Sequence, residues 1–127
     1  MSERETINII GGGLAGCEAS WQILKRGFHV RLHEMRPQQL TPAHKTGDLA
    51  ELVCSNSFKS LDMSAASGVL KQEMMSFESL IIKAAYYSRV PAGRALAIDR
   101  SVFSQYIKEQ LTSCLNFELI AGEYTEI

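Results

Sequence analysis

Thr6 to Ile10 is a short, nearly continuous apolar run carrying Ile7, Ile9 and Ile10. Such a run predicts a strand buried on both faces of a parallel sheet. From Leu14 the period changes. Leu14, Cys17, Trp21 and Leu24 share one helical stripe, and Gly16, Ser20 and Ile23 form a neighbouring face of mostly small residues. That arrangement directs Glu18, Gln22 and Lys25 to solvent, and Gly27 supplies a stop just beyond Arg26. Phe28, Val30 and Leu32 then alternate with His29, Arg31 and His33 up to Glu34, the period of a second strand. Strand, helix and strand make a βαβ unit with an expected right-handed crossover.

From Arg36 to Ser60 no period is visible. Pro37, Pro42 and Gly47 predict a long loop, with one helical turn around Asp48 to Val53. Leu70, Met74, Phe77, Ile81 and Ala84 recur at helical spacing and predict a second helix over much of Ser64 to Tyr87, ended by Val90-Pro91-Ala92-Gly93. A short extended piece at Ala95 to Asp99, a third helix from about Ser101 to Leu115, and one or two strands in Asn116 to Ile127 complete the pattern. The expected fold class is α/β, a Rossmann-type three-layer fold, and 127 residues suit one core.

The chemistry concentrates at Gly11-Gly12-Gly13-Leu14-Ala15-Gly16, placed after an apolar strand and opening a helix. In that context Gly11 permits the tight turn, Gly13 lets the backbone approach a pyrophosphate, and Gly16 allows close helix–strand packing. The helix start at Leu14 and Ala15 offers free N–H groups and a positive dipole end to a diphosphate. Glu34, ending the second strand, is an acceptor for ribose hydroxyls and repels a 2′-phosphate, which favours FAD or NAD over NADP. The competing reading is a ligand-free turn with a solvated strand end. The fingerprint alone does not separate FAD from NAD.

The net charge of −1 argues against a generally basic nucleic-acid surface, though Arg36, Lys45 and Lys59 fall in one loop-rich region and leave room for a local patch. No apolar run is long enough to span a bilayer, and Met1 to Glu5 is charged where a signal peptide needs an apolar core, so the expected address is cytoplasmic. Three cysteines without a CxxC pair suggest neither a disulfide framework nor zinc. Cys17 and Cys114 lie on apolar stripes and read as core. Cys54, among Ser55, Asn56 and Ser57, is either a nucleophile or a plain loop thiol, with no neighbouring His or Lys to activate it. Arg100, at a helix start, either reaches a phosphate or carboxylate or is tied up by an Asp99 or Ser101 cap. His29 and His33 are roughly 13 Å apart at strand rise, too far to share a metal. His44 reads as an exposed loop histidine within reach of a ligand.

Several blocks together carry a resemblance: Ile10-Gly-Gly-Gly-Leu-Ala-Gly-Cys-Glu-Ala-Ser-Trp-Gln22, Glu34-Met-Arg-Pro37, Thr41-Pro-Ala-His44, Ala50-Glu-Leu-Val-Cys-Ser-Asn-Ser57, Gly68-Val-Leu-Lys-Gln-Glu-Met74, Pro91-Ala-Gly93 and Ala95-Leu-Ala-Ile-Asp-Arg100. The chain resembles the N-terminal part of the folate- and FAD-dependent tRNA (uracil-5-)-methyltransferases, and the Glu-Leu-Val-Cys-Ser-Asn-Ser block is the most specific element. The resemblance implies that FAD is reduced by NAD(P)H, takes a one-carbon unit from 5,10-methylenetetrahydrofolate and passes it to C5 of a T-loop uridine in tRNA. It implies a cofactor-binding set of Gly11, Gly13, Leu14, Ala15, Gly16, Glu34, Met35, Asn56, Ser57, Arg100 and Tyr124, the last in a strand whose backbone reads the adenine. Cys54 matches a family cysteine near the flavin that acts on the uracil ring. Cys17 and Ser20 stand where the family has Ser and Ala, and Arg94 where it has a small residue.

Family members are longer. The resemblance therefore implies a fragment, one incomplete FAD-binding domain over residues 1–127. Most of the folate and tRNA T-arm surface would lie in the missing C-terminal portion, for which a separate chain is one source. The alternatives are another FAD- or NAD-dependent oxidoreductase and a non-catalytic nucleotide-binding remnant.

Overall fold

The computed structural model describes residues 5–126; the charged start at Met1 to Arg4 and the final Ile127 lie outside the described residues. The predicted βαβ unit is present as β1 (Thr6–Ile10), α1 (Leu14–Lys25) and β2 (His29–Glu34), with β1 and β2 parallel and Ile7 opposite Val30. A third parallel strand, β6 (Phe117–Ala121), pairs with the other edge of β2, so the sheet order is β1-β2-β6 and β2 is central. The alternation in β2 has a direct physical outcome. Val30, Leu32 and Glu34 are buried, while His29 and Arg31 are exposed. Among the described residues α1 packs on β1 and β2, and the helix after β5 packs on β6.

That arrangement corrects the reading of β1. Its residues alternate between exposed and half-buried, and Ile10 is 58% exposed. An apolar run implies two covered faces, but among the described residues β1 is an edge strand paired with β2 alone. The residues between β2 and β6 hold the rest of the fold: β3 (Ser57–Ser60), α2 (Ala66–Ser76), α3 (Leu80–Tyr87), β4 (Arg89–Val90), β5 (Ala95–Ile98) and α4 (Arg100–Thr112). Strands β3, β5 and β4 form a second, antiparallel sheet. β3 falls inside the stretch expected to be loop, because a four-residue strand with a bulge at Lys59 (φ 68°) has no period to show. The expected helical turn at Asp48 to Val53 is a tight turn instead, with Ala50 at φ 53°.

The expected single helix over Ser64 to Tyr87 is two helices. Its period continues across the break, but Glu78 turns to φ 55° and Ser79 caps α3, its hydroxyl accepting from Ile82 N–H at 3.2 Å. The residues of α1 expected to face solvent hold this break. Glu18 accepts from Leu80 N–H at 2.9 Å, Gln22 donates to the Phe77 carbonyl at 3.2 Å, and Lys25 pairs with Glu78 at 2.8 Å. The α3 start thus receives an acid from another helix, which suits its dipole. The core lies between the helices and the two sheets. Its fully buried members include Leu32, Leu80, Leu96, Ile98, Phe103, Ile107 and Leu111.

Candidate dinucleotide site

The glycine loop links the end of β1 to the start of α1, and each glycine there has its own reason. Gly11 sits at φ 99°, open to glycine and costly for other residues. A Cβ on Gly16 would stand 1.8 Å from the Gly11 carbonyl oxygen, so the helix can lie this close to the turn only without a side chain. A Cβ on Gly13 would meet nothing within 4 Å, leaving the backbone bare toward solvent. Gly13 caps α1 without a side-chain hydrogen bond, and the first turn carries no acid. The positive end of a twelve-residue helix is therefore uncompensated, which suits an anion.

Gly12 received no role from the sequence, yet it too is crowded. A Cβ there would lie 2.7 Å from Leu49 and 2.8 Å from the Glu34 carboxylate. Its N–H donates to Glu34 Oε2 at 2.7 Å and its carbonyl accepts from Ala50 N–H at 2.7 Å. Glu34 is accordingly no solvated strand end, being 6% exposed. Arg36, one of the three cations that left room for a local basic patch, is buried as well. Its guanidinium forks onto Glu34 at 2.9 and 3.1 Å and reaches Glu51 at 3.2 Å. Burial pushes the Glu34 carboxyl up, but the Arg36 fork and the Arg36 and Gly12 N–H groups outweigh it and hold the group below its usual range. The bond to Glu34 likewise raises Arg36 above its ordinary value, so the pair stays ionised. A visible signal for this pairing was available in the sequence: Glu-x-Arg at a strand end puts both side chains on one side of an extended chain.

Around these residues lies a cleft of about 330 Å³ whose wall contains Gly11, Gly13, Glu34, Met35, His44 and Tyr124. Tyr124 was expected in a strand. β6 ends at Ala121 instead: the Gly122 N–H makes the last ladder bond, to the Glu34 carbonyl at 3.0 Å, and Gly122 itself sits at φ 122°. The Tyr124 ring then packs edge-on against His33, centroids 4.7 Å apart. His44 is half-buried against Thr41 and joins the cleft wall.

Other expected site residues lie elsewhere. Leu14, Ala15 and Ser57 line a separate, apolar cavity of about 720 Å³ between α1 and α2. Asn56 is pinned to β5, its amide donating to the Ile98 carbonyl at 3.1 Å and its own carbonyl accepting from Ile98 N–H at 2.9 Å. Cys54 is exposed on the span between two anchors, Ala50 on the glycine loop and Asn56 on β5. Asp99 caps α4 by accepting from Val102 N–H at 3.0 Å, and Arg100, its first residue, is exposed. Among the described residues Arg100 has no ion-pair partner, so the alternative in which it pairs with Asp99 is not realised. Arg94 is exposed and pairs with Asp62 at 3.3 Å. Cys17 is fully buried, and burial pushes its thiol up to about 12. Cys114 is half-buried against the core.

A glycine turn opening a helix, an acid at the end of the neighbouring parallel strand and a cleft joining them define a fold of the Rossmann dinucleotide-binding type. Residues 6–127 match the family described as glucose inhibited division protein A, and the chain belongs to that family. It is 52% identical over 98% of its length to the methylenetetrahydrofolate–tRNA-(uracil-5-)-methyltransferase TrmFO of Aquifex aeolicus, covering 28% of that protein. To the TrmFO of Lactobacillus helveticus it is 54% identical over 97% of its length, covering 30% of that protein. The chain thus spans less than a third of the length of these curated relatives. Among solved structures it is similar to GidA of Aquifex aeolicus, with a TM-score of 0.68 and 15% identity over 93% of this chain and 19% of that one, a likeness of fold.

Proposed function

We propose that the chain is the N-terminal part of an FAD-binding domain in a folate-dependent tRNA (uracil-5-)-methyltransferase. The observation that carries this reading is identity above 50% to proteins named for that activity, over nearly the whole chain, with the glycine cradle intact. The bare backbone at Gly13 and the uncapped α1 start fit a diphosphate, and the cleft wall from Glu34 to Tyr124 fits the adenosine half. In this structure the Glu34 carboxylate, expected as the acceptor for the ribose hydroxyls, is paired with Arg36 and bonded to the Gly12 N–H. FAD, when bound, supplies the electrons and one-carbon transfer that a folate-dependent methylation needs, with NAD(P)H and 5,10-methylenetetrahydrofolate as co-substrates and the tRNA T-arm as acceptor. Met35 belongs to the adenosine end of the site; Leu14, Ala15, Asn56, Ser57 and Arg100 belong to the parts that continue from it.

Cys54 is the residue proposed for chemistry on the uracil. Its thiolate adds to C6, forming the S–C6 bond and pushing the C5=C6 pair toward C5, which becomes nucleophilic. Exposure on a span anchored at both ends gives it access and a defined position. No helix of the described residues is long and apolar enough to cross a membrane. A cytoplasmic enzyme acting on tRNA accommodates that observation, and a second chain is one source of the remaining surface.

The test is an absorbance spectrum of the purified 127-residue chain after incubation with FAD and desalting. Retained flavin absorbance is expected; a colourless protein overturns the claim that this segment forms the site by itself.

A further inference from the structure

The strand-end acid has no acceptor position to spare. Glu34 Oε1 accepts from the Arg36 backbone N–H and from Arg36 Nε, both at 2.9 Å. Oε2 accepts from Gly12 N–H at 2.7 Å and from Arg36 Nη2 at 3.1 Å. A carboxylate has about four such positions, so one arginine takes three of them. The remaining arm of the guanidinium reaches Glu51 at 3.2 Å, and Glu51 also accepts from the Lys45 and Thr46 N–H groups at 3.2 and 2.8 Å. The side chains of Arg36, Glu34 and Glu51 are 2%, 7% and 11% exposed. Such a cluster is stable only while complete, because removing the cation strands two carboxylates out of water. Two segments far apart in sequence, the glycine loop and the 45–51 loop, meet at this one charge.

We propose that Arg36 is a positioning residue of the dinucleotide site: its fork holds the Glu34 carboxylate against Gly12 N–H, and through Glu51 it fastens the 45–51 loop to the same point. The inference rests on the FAD reading for its ligand consequence and on geometry alone for its structural one. The loop carries Leu49 and Ala50, which lie against and bond to Gly12, so the loop and the turn that faces the pyrophosphate share the Arg36 anchor, the turn through Glu34 and the loop through Glu51.

The test compares Arg36→Met, Arg36→Lys and Glu51→Gln with the wild-type chain. Amide hydrogen exchange is followed by mass spectrometry over 10–16 and 43–52 without ligand, urea stability is measured from pH 8 to 5, and FAD affinity is read from flavin fluorescence. Arg36→Met is expected to speed exchange in both segments by about tenfold or more, the scale set by losing charge-assisted bonds. Glu51→Gln is expected to act on 43–52 far more than on 10–16, and the loss of FAD affinity is expected to follow the exchange in 10–16.

The pH readout separates positioning from space filling. In the wild type the Glu34 carboxyl is held low, so its stabilisation is present above the unfolded value and lost only as pH falls through the folded one; between pH 8 and 5 the curve stays flat. Without the guanidinium, burial is opposed only by the backbone N–H groups of Gly12 and residue 36, the carboxyl rises, and Arg36→Met gains stability relative to the wild type as pH falls from 8 to 5. The other titratable groups around Glu34 are Cys17 from α1, His33 from β2, Asp48, Glu51 and His44 from the loop, Lys108 from α4, and Glu123 and Tyr124 after β6. They are common to wild type and variant, and the difference curve reports the acids that Arg36 compensates.

Arg36→Lys keeps the charge without the fork, so it restores the flat pH curve but not the protection of both segments. Unchanged exchange in 10–16 for Arg36→Met, parallel pH curves, or wild-type behaviour of Arg36→Lys in every readout overturns the proposal. If Arg36→Met does not fold, Arg36→Lys and Glu51→Gln decide it by the same criteria. A wild-type chain that fails to bind FAD overturns the ligand reading instead and leaves the exchange and pH outcomes to judge Arg36.

Discussion

Replacing Gly13 by alanine separates the ligand role of the glycine turn from its folding role. Gly13 has φ −79° and ψ −167°, a conformation open to any residue, and an added Cβ meets nothing within 4 Å. The folded chain therefore has room for alanine; the gain of about 0.4–1 kcal/mol from the stiffer unfolded chain is offset by alanine's poorer fit at the N-cap of α1, and stability is expected to change by less than about 1 kcal/mol. A diphosphate resting on the bare backbone would meet the new methyl group. Losing one charge-assisted hydrogen bond to it costs about 1.5–3 kcal/mol, or roughly ten- to a hundredfold in FAD affinity. The companion variant Gly16→Ala does the reverse. Its Cβ would lie 1.8 Å from the Gly11 carbonyl oxygen, and an ordinary contact begins at 3.4 Å, so the turn and α1 must part by about 1.5 Å. That rearrangement costs about 3 kcal/mol or more. Urea unfolding followed by circular dichroism, alongside FAD titration, reads both effects. A Gly13→Ala chain with wild-type FAD affinity, or a Gly16→Ala chain with wild-type stability, refutes this division of labour.

Glu18→Ala removes the acceptor that α1 lends to Leu80 and Ile81 at the start of α3; a loss of about 1 kcal/mol is expected, as for an N-cap deletion, seen as a lower urea midpoint. Iodoacetamide at pH 8, followed by intact mass, is expected to label exposed Cys54 first and half-buried Cys114 more slowly. Cys17, with its thiol pushed up to about 12, is then expected to react only after unfolding; early labelling of Cys17 contradicts the described core.

The βαβ start, the glycine turn with its acid, the extended piece at β5 and the helix after it are legible in the chain alone. These features are local. Their signals are a period, a glycine conformation or a cap, and each can be read within a dozen residues. Features that depend on residues far apart in the chain come from the fold. The period from Leu70 to Ala84 continues through the α2–α3 break, which exists because Glu18, Gln22 and Lys25 of α1 grip it. The apolar run of β1 says two covered faces, but only pairing order reveals an edge. Arg36 looks like a surface cation until Glu51, fifteen residues on, is brought to its guanidinium. Charges and packing act through space and not along the chain, so the alphabet shows which groups are present, and only the fold shows which of them meet.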